Sequence, residues 1–143
     1  MFYGCSKLVH VPALPATTLE NYCYQYMFSG CSSLTQAPVL PATTLTVGCY
    51  SGMFQNCSSL TQAPELPATT LANECYDHMF YGCSKLNYIK ALFTTTPSDT
   101  YTYLWVDGVS QEGTFVKSST ATWDETVARG SSSIPERWTV TPV

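Results

Sequence analysis

Charge is scarce in this chain: Asp, Glu, Lys and Arg make up 11% of its 143 residues, against roughly a quarter in an ordinary soluble domain. That scarcity excludes a coiled coil or a helical surface laced with ion pairs, and the net charge of −4 leaves no basic footprint for nucleic acid. Long apolar runs are missing too. No stretch reaches the roughly 18 consecutive apolar residues of a membrane span, and the amino end has no basic segment followed by an apolar one. The chain as it stands reads as soluble, without membrane insertion and without a signal peptide. Seven cysteines occur but no Cys-x-x-Cys pair, and there are only two histidines, His10 and His78, so the usual zinc spacings are absent. What is plentiful is apolar: 45% of residues are hydrophobic, which excludes general disorder and suits one domain with its own core.

The cysteines make sense once the chain is read for internal repeats. Met1, Met27, Met53 and Met79 open blocks 26 residues apart, beginning MFYGCSKL, MFSGCSSL, MFQNCSSL and MFYGCSKL. The first three continue through P-x-L-P-A-T-T-L at Pro12 to Leu19, Pro38 to Leu45 and Pro64 to Leu71, and each closes on a Cys-Tyr pair. The thiols then form two columns, Cys5/Cys31/Cys57/Cys83 and Cys23/Cys49/Cys75, which explains their odd number. Equivalent residues on stacked strands are about 4.8 Å apart, within reach of a disulfide, but ladder side chains point the same way, so free, buried thiols are expected.

Within a unit, Leu19, Cys23 and Met27 recur at i, i+4 and i+8, flanked by Tyr24 and Phe28, which is read as a helix. Thr17 or Thr18 serves as its N-cap, and Gly4, Gly30, Asn56 or Gly82 as its stop. A short strand follows, Leu34 to Ala37, ended by Pro38. The expected fold class is α/β: a leucine-rich-repeat-like right-handed solenoid of 26-residue units, each a short parallel strand plus a helix, with a small mixed carboxy-terminal cap. Residues 1–96 hold four repeats (1–26, 27–52, 53–78 and a partial 79–96), and 97–143 form the cap. Residues 1–78 carry five charges and 79–143 the other eleven, and Trp105, Trp123 and Trp138 all lie beyond the last full repeat. In the cap, a helix is expected to restart at Ser98 or Asp99 and stop near Gly108, and Thr114 to Lys117 with Trp138 to Thr141 to make a hairpin-like pair over the open sheet end.

The repeated MF-x-G-C-S-S-L, short strand and L-P-A-T-T-L-x-x-x-C-Y resemble the BspA-like leucine-rich repeats of bacterial surface proteins, chiefly of Bacteroidetes, over residues 1 to about 92. The segments around Trp105 to Val109, Gly113 to Lys117 and Trp138 to Val140 resemble the carboxy-terminal piece that closes such arrays. The resemblance implies a secreted or surface-anchored binding protein, some relatives being adhesins for host matrix proteins or other bacteria. It places the protein outside the cell or on its surface. Met1 falls in repeat phase, so the chain reads as a fragment that begins inside a unit.

Catalysis finds little support in the residues. His10 has no acidic residue at neighbouring repeat positions except Glu65, two units away and three positions along, and Asp77-His78 replaces Gln25-Tyr26 and Ser51-Gly52, as a tolerant helix end would. No catalytic, cofactor-binding or metal-binding residue is assigned, and no cofactor. Binding is the better reading. Units two and three differ only at Ser29/Gln55, Gly30/Asn56, Val39/Glu65, Thr46-Val47-Gly48 against Ala72-Asn73-Glu74, and Ser51-Gly52 against Asp77-His78, which marks those positions as solvent-facing. The strand segments carry Val9-His10, Thr35-Gln36, Thr61-Gln62 and Asn87-Tyr88, of which one column must face solvent by alternation. His10, Thr35, Gln36, Thr61, Gln62, Asn87 and Tyr88 are therefore the candidate binding surface, polar and nearly uncharged. Tyr24, Tyr50 and Tyr76 are expected to pack between helices with hydroxyls outward, whereas some of the non-recurring Tyr3, Tyr22, Tyr26, Tyr81 and Tyr88 are expected to be exposed anchors. The function expected is a noncatalytic extracellular interaction or adhesion module whose partner is an extracellular protein, of host matrix or bacterial surface, or a glycan. Two alternatives stand beside it: a structural spacer that presents another domain, and a substrate-binding appendage of a secreted enzyme.

Overall fold

Backbone N–H groups in the repeats have two alternating destinations, and this alternation defines the fold in the computed structural model, which describes residues 2–143. Cys23, Gln25, Met27, Ser29 and Cys31 donate three residues back, to the carbonyls of Glu20, Tyr22, Tyr24, Tyr26 and Phe28, at 3.1 to 3.2 Å. The residues between them, Tyr22, Tyr24, Tyr26, Phe28 and Gly30, donate instead to Val47, Cys49, Ser51, Met53 and Gln55 of the following unit, at 2.8 to 3.0 Å. The same ladder runs from Gly48–Asn56 to Asn73–Tyr81, and from Tyr76–Gly82 to Tyr101–Asp107. Each unit is thus a chain of tight turns laid against the next.

No helix exists among the described residues, so the expected α/β fold with a helix in every unit is wrong. The reason is visible in the backbone. Every fourth residue of the supposed helix is left-handed: Tyr22, Tyr26 and Gly30, then Gly48, Gly52 and Asn56, then Glu74, His78 and Gly82, with φ between 54° and 78°. A left-handed residue breaks the i to i−4 bonding that an α-helix requires. The apolar row Leu19, Cys23, Met27 and Cys31 has a strict spacing of four, which would drift about 40° per step around a helix of 3.6 residues per turn. On a four-residue turn repeat the same row stays on one side. The expected cap helix from Ser98 is likewise a run of turns, with Leu104 and Gly108 left-handed.

Strands are few: β1 (Tyr88–Ala91), β2 (Thr114–Lys117) and β3 (Thr139–Pro142), all parallel in the order β1-β2-β3. The expected strand at Leu34 to Ala37 does not form, and the third unit offers only isolated bridges, Gln62 to Tyr88 and Leu66 to Ala91. Proline accounts for this. Pro64 and Pro67, like Pro38 and Pro41, lack the N–H that a continuous ladder needs, whereas the fourth unit has Lys90 and Phe93 there and β1 forms. The hairpin expected in the tail is also corrected. Thr114 pairs with Thr139 in parallel, because the 118–138 connection travels back across the core, burying Trp123, Ile134 and Trp138. The cap is therefore not mixed; its strands extend the sheet that β1 begins. Nothing in this architecture supports a leucine-rich-repeat solenoid, a BspA-like protein or an adhesion domain.

The core is columnar. Phe2, Phe28, Phe54 and Phe80 stack at 5.5 to 5.9 Å, and Tyr24, Tyr50 and Tyr76 at 6.0 to 6.1 Å. Trp105 ends the tyrosine stack, 5.7 Å from Tyr76 and nearly parallel to it, with its indole N–H donating to Ser133 O at 2.8 Å. The tyrosine hydroxyls do not point outward as expected: Tyr50 and Tyr76 are buried, and the Tyr76 hydroxyl has no hydrogen-bond partner. Burial raises the pKa of both phenols well above its ordinary value.

Candidate interaction surface

Each Thr-Gln pair follows a leucine whose side chain is wholly buried, Leu34 or Leu60, so the chain surfaces at the next residue. Thr35, Gln36, Thr61 and Gln62 are all exposed. Alternation was expected to expose one column and hide the other, but these segments are not strands and both columns reach solvent. At Asn87-Tyr88, where β1 begins, Asn87 is exposed and Tyr88 half-buried.

Thr35, Gln36, Ala37, Thr61, Gln62, Ala63, Pro64 and Glu65 line one groove of about 390 Å³. Its third-unit wall is bonded to the fourth unit. Asn87 N donates to Thr61 O at 3.0 Å, and Ala63 N to Tyr88 O at 3.0 Å. Asn87 and Tyr88 thus hold the backbone of Thr61 and Ala63 without lining the groove themselves, and His10, although exposed, lines no part of it. The one charged group in the wall, Glu65, pairs with Lys90 at 3.3 Å. Two hydroxyls and two carboxamides, a repeat apart, give the groove donors and acceptors in duplicate and little net field.

The structure brings other chemistry-bearing residues together differently from expectation. Asp77 and His78 form a side-chain pair, half-buried on the turn rather than at a free helix end, and the His78 ring lies 5.3 Å from Tyr81 and 5.5 Å from Tyr103. Ser51, Gly48 and Gly52, taken as solvent-facing because they differ between units, are buried. No three His, Cys, Asp or Glu side chains converge as a metal site among the described residues. All seven thiols are free, with Cys5 and Cys23 exposed and the other five buried. Cys31, Cys57 and Cys83 donate to Phe2 O, Phe28 O and Phe54 O at 3.0 to 3.2 Å, so this column doubles as hydrogen bonding between units. Desolvation pushes the Cys75 and Cys83 thiols up to about 12 from 9.0, which leaves them neutral and poorly nucleophilic.

Comparison with known proteins adds no relative. No family model, curated protein or solved structure matches the chain. Tyr22 and Tyr26, two of the non-recurring tyrosines, keep 43% and 42% of their surface exposed, but at left-handed positions that the expected helix did not allow for. The sequence signal for that left-handed backbone is the glycine found one unit later at each position, Gly48 and Gly52.

Proposed function

We propose that the protein is a noncatalytic interaction module of an extracellular or cell-surface protein, and that it takes an extended polypeptide segment into the Thr-Gln groove. The observation that carries this reading is the groove itself: Thr35-Gln36 and Thr61-Gln62, identical pairs from successive units, line one cleft of about 390 Å³. Carboxamides and hydroxyls both donate and accept, as peptide groups do, so an extended backbone finds complementary partners on both pairs. Near-neutral walls favour such hydrogen bonding over recognition of a strongly charged partner, with Glu65 already engaged by Lys90.

An array of extended peptides and immobilised matrix proteins, read by biolayer interferometry, tests the proposal. Saturable binding to at least one ligand is expected, weakened about tenfold or more in the Gln36→Ala/Gln62→Ala variant with unchanged thermal stability, since each lost hydrogen bond is worth about 0.5 to 1.5 kcal/mol. Binding that survives both substitutions unaltered sinks the groove as the site.

A further inference from the structure

Two tyrosines stand where glycine suffices for the backbone. Tyr22 and Tyr26 have φ of 58° and 55°, and the equivalent places in the next unit are Gly48 and Gly52, at 61°. A Cβ on Gly48 would overlap Cδ1 and Cε1 of the Tyr22 ring, and one on Gly52 would overlap the same atoms of Tyr26. Each ring therefore rests on the bare backbone of the neighbouring unit, in a seat that a side chain would fill. Seated in this way, the rings still leave 43% and 42% of their residues' surface open to solvent. Their orientation is fixed before any ligand arrives, so stacking on them costs little side-chain freedom.

Hydrogen-bonding groups flank both rings. The Tyr22 hydroxyl donates to Glu74 Oε2 at 3.5 Å, which ties the first unit to the third across Gly48. Gln55 Oε1 lies 3.3 Å from the Cβ position of Gly52, beside the Tyr26 ring. Along the same row of turns the His78 ring sits between Tyr81 and the exposed Tyr103, with Asp77 as its partner.

We propose that this tyrosine strip is a carbohydrate-binding surface: Tyr22 and Tyr26 take the apolar faces of pyranose rings in a polysaccharide, while Glu74 and Gln55 accept hydrogen bonds from its hydroxyls. A pyranose presents C–H groups on its face and hydroxyls around its rim, which matches rigid aromatic seats bordered by acceptors. Two seats in succession on an open surface suit a polymer better than a single sugar in a pit. Nucleobases also stack on tyrosine, but their phosphates would pass Glu74 and Asp77 on a chain of net charge −4. The strip shares no residue with the Thr-Gln groove, so either surface can fail without the other.

Native affinity electrophoresis in gels containing hydroxyethylcellulose, xylan, galactomannan or glycogen tests the proposal, with oligothymidylate as the comparison ligand. Retardation by at least one polysaccharide is expected, abolished in Tyr22→Leu/Tyr26→Leu and kept in Gln36→Ala/Gln62→Ala. Retardation by none of the four, by oligothymidylate alone, or equally in the leucine variant overturns it. Should circular dichroism show that the leucine variant is unfolded, tetranitromethane nitration of the unaltered protein decides. The retarding polysaccharide then has to shield Tyr22 and Tyr26, and nitration at undiminished rates overturns the assignment.

Discussion

At the scale of residues, burial divides chemically identical side chains into different species. Cys5 and Cys23 are exposed and Cys31, Cys49, Cys57, Cys75 and Cys83 are buried, although the repeat makes them members of two uniform columns. The columns were legible in the 26-residue period, whereas the difference in exposure between the first unit and the later ones was not. Ellman's reagent at neutral pH is therefore expected to label two thiols of the native protein quickly and all seven in denaturant. Faster native labelling of the remainder would mean that the columns are not packed. Because desolvation holds Cys75 and Cys83 near 12 in the fold, against 9.0 when exposed, the unfolded chain loses these protons first. Their contribution is complete below about pH 9 and disappears as pH rises towards 12, so urea midpoints should fall across that window. A flat profile there would contradict the burial.

Elements were the level at which sequence reasoning went astray, and particular residues show why. Leu19, Cys23 and Met27 satisfy a helical pattern and a four-residue turn pattern equally over so short a span. Gly30 and Gly82 looked like helix stops because glycine marks left-handed residues, but Tyr22, Tyr26, Glu74 and His78 adopt that conformation with no such mark. Holding a side chain there costs about 1 to 2 kcal/mol per residue, so the lateral hydrogen bonds and packing must offset it. Gly52→Ala is accordingly expected to lower stability by at least that amount, since it adds a Cβ where the Tyr26 ring lies. Equilibrium urea denaturation measures this, and a neutral result would refute the seat. The effect of proline was underestimated: Pro38 was expected only to end a strand at Leu34 to Ala37, but the Pro-bearing units make no continuous strand at all, while β1 appears in the unit without prolines at those places.

Across the whole molecule, stability depends on how the stack is finished. Trp105 is fully buried and closes on Tyr76, Phe80, Phe93 and Phe115, at centroid distances of 5.7 to 6.3 Å. Its indole N–H is spent on Ser133 O, and those of Trp123 and Trp138 on Phe93 O and Ser110 O. Trp105→Ala removes the keystone of both aromatic columns and is expected to cost about 3 to 5 kcal/mol. Thermal unfolding would register this as a large fall in Tm, and a loss below about 1 kcal/mol would show that the columns do not rely on their end.

The sequence by itself determined the period and the membership of every column, because a repeat obliges equivalent residues to meet equivalent neighbours. Only the tertiary structure decided that the units are turns rather than helices, that the tail strands run parallel, and that Tyr22 and Tyr26 sit on Gly48 and Gly52. The physical reason is the destination of the backbone N–H groups. Half of those in the turn segments are satisfied by carbonyls about 25 residues away, a partnership that no local pattern of side chains encodes.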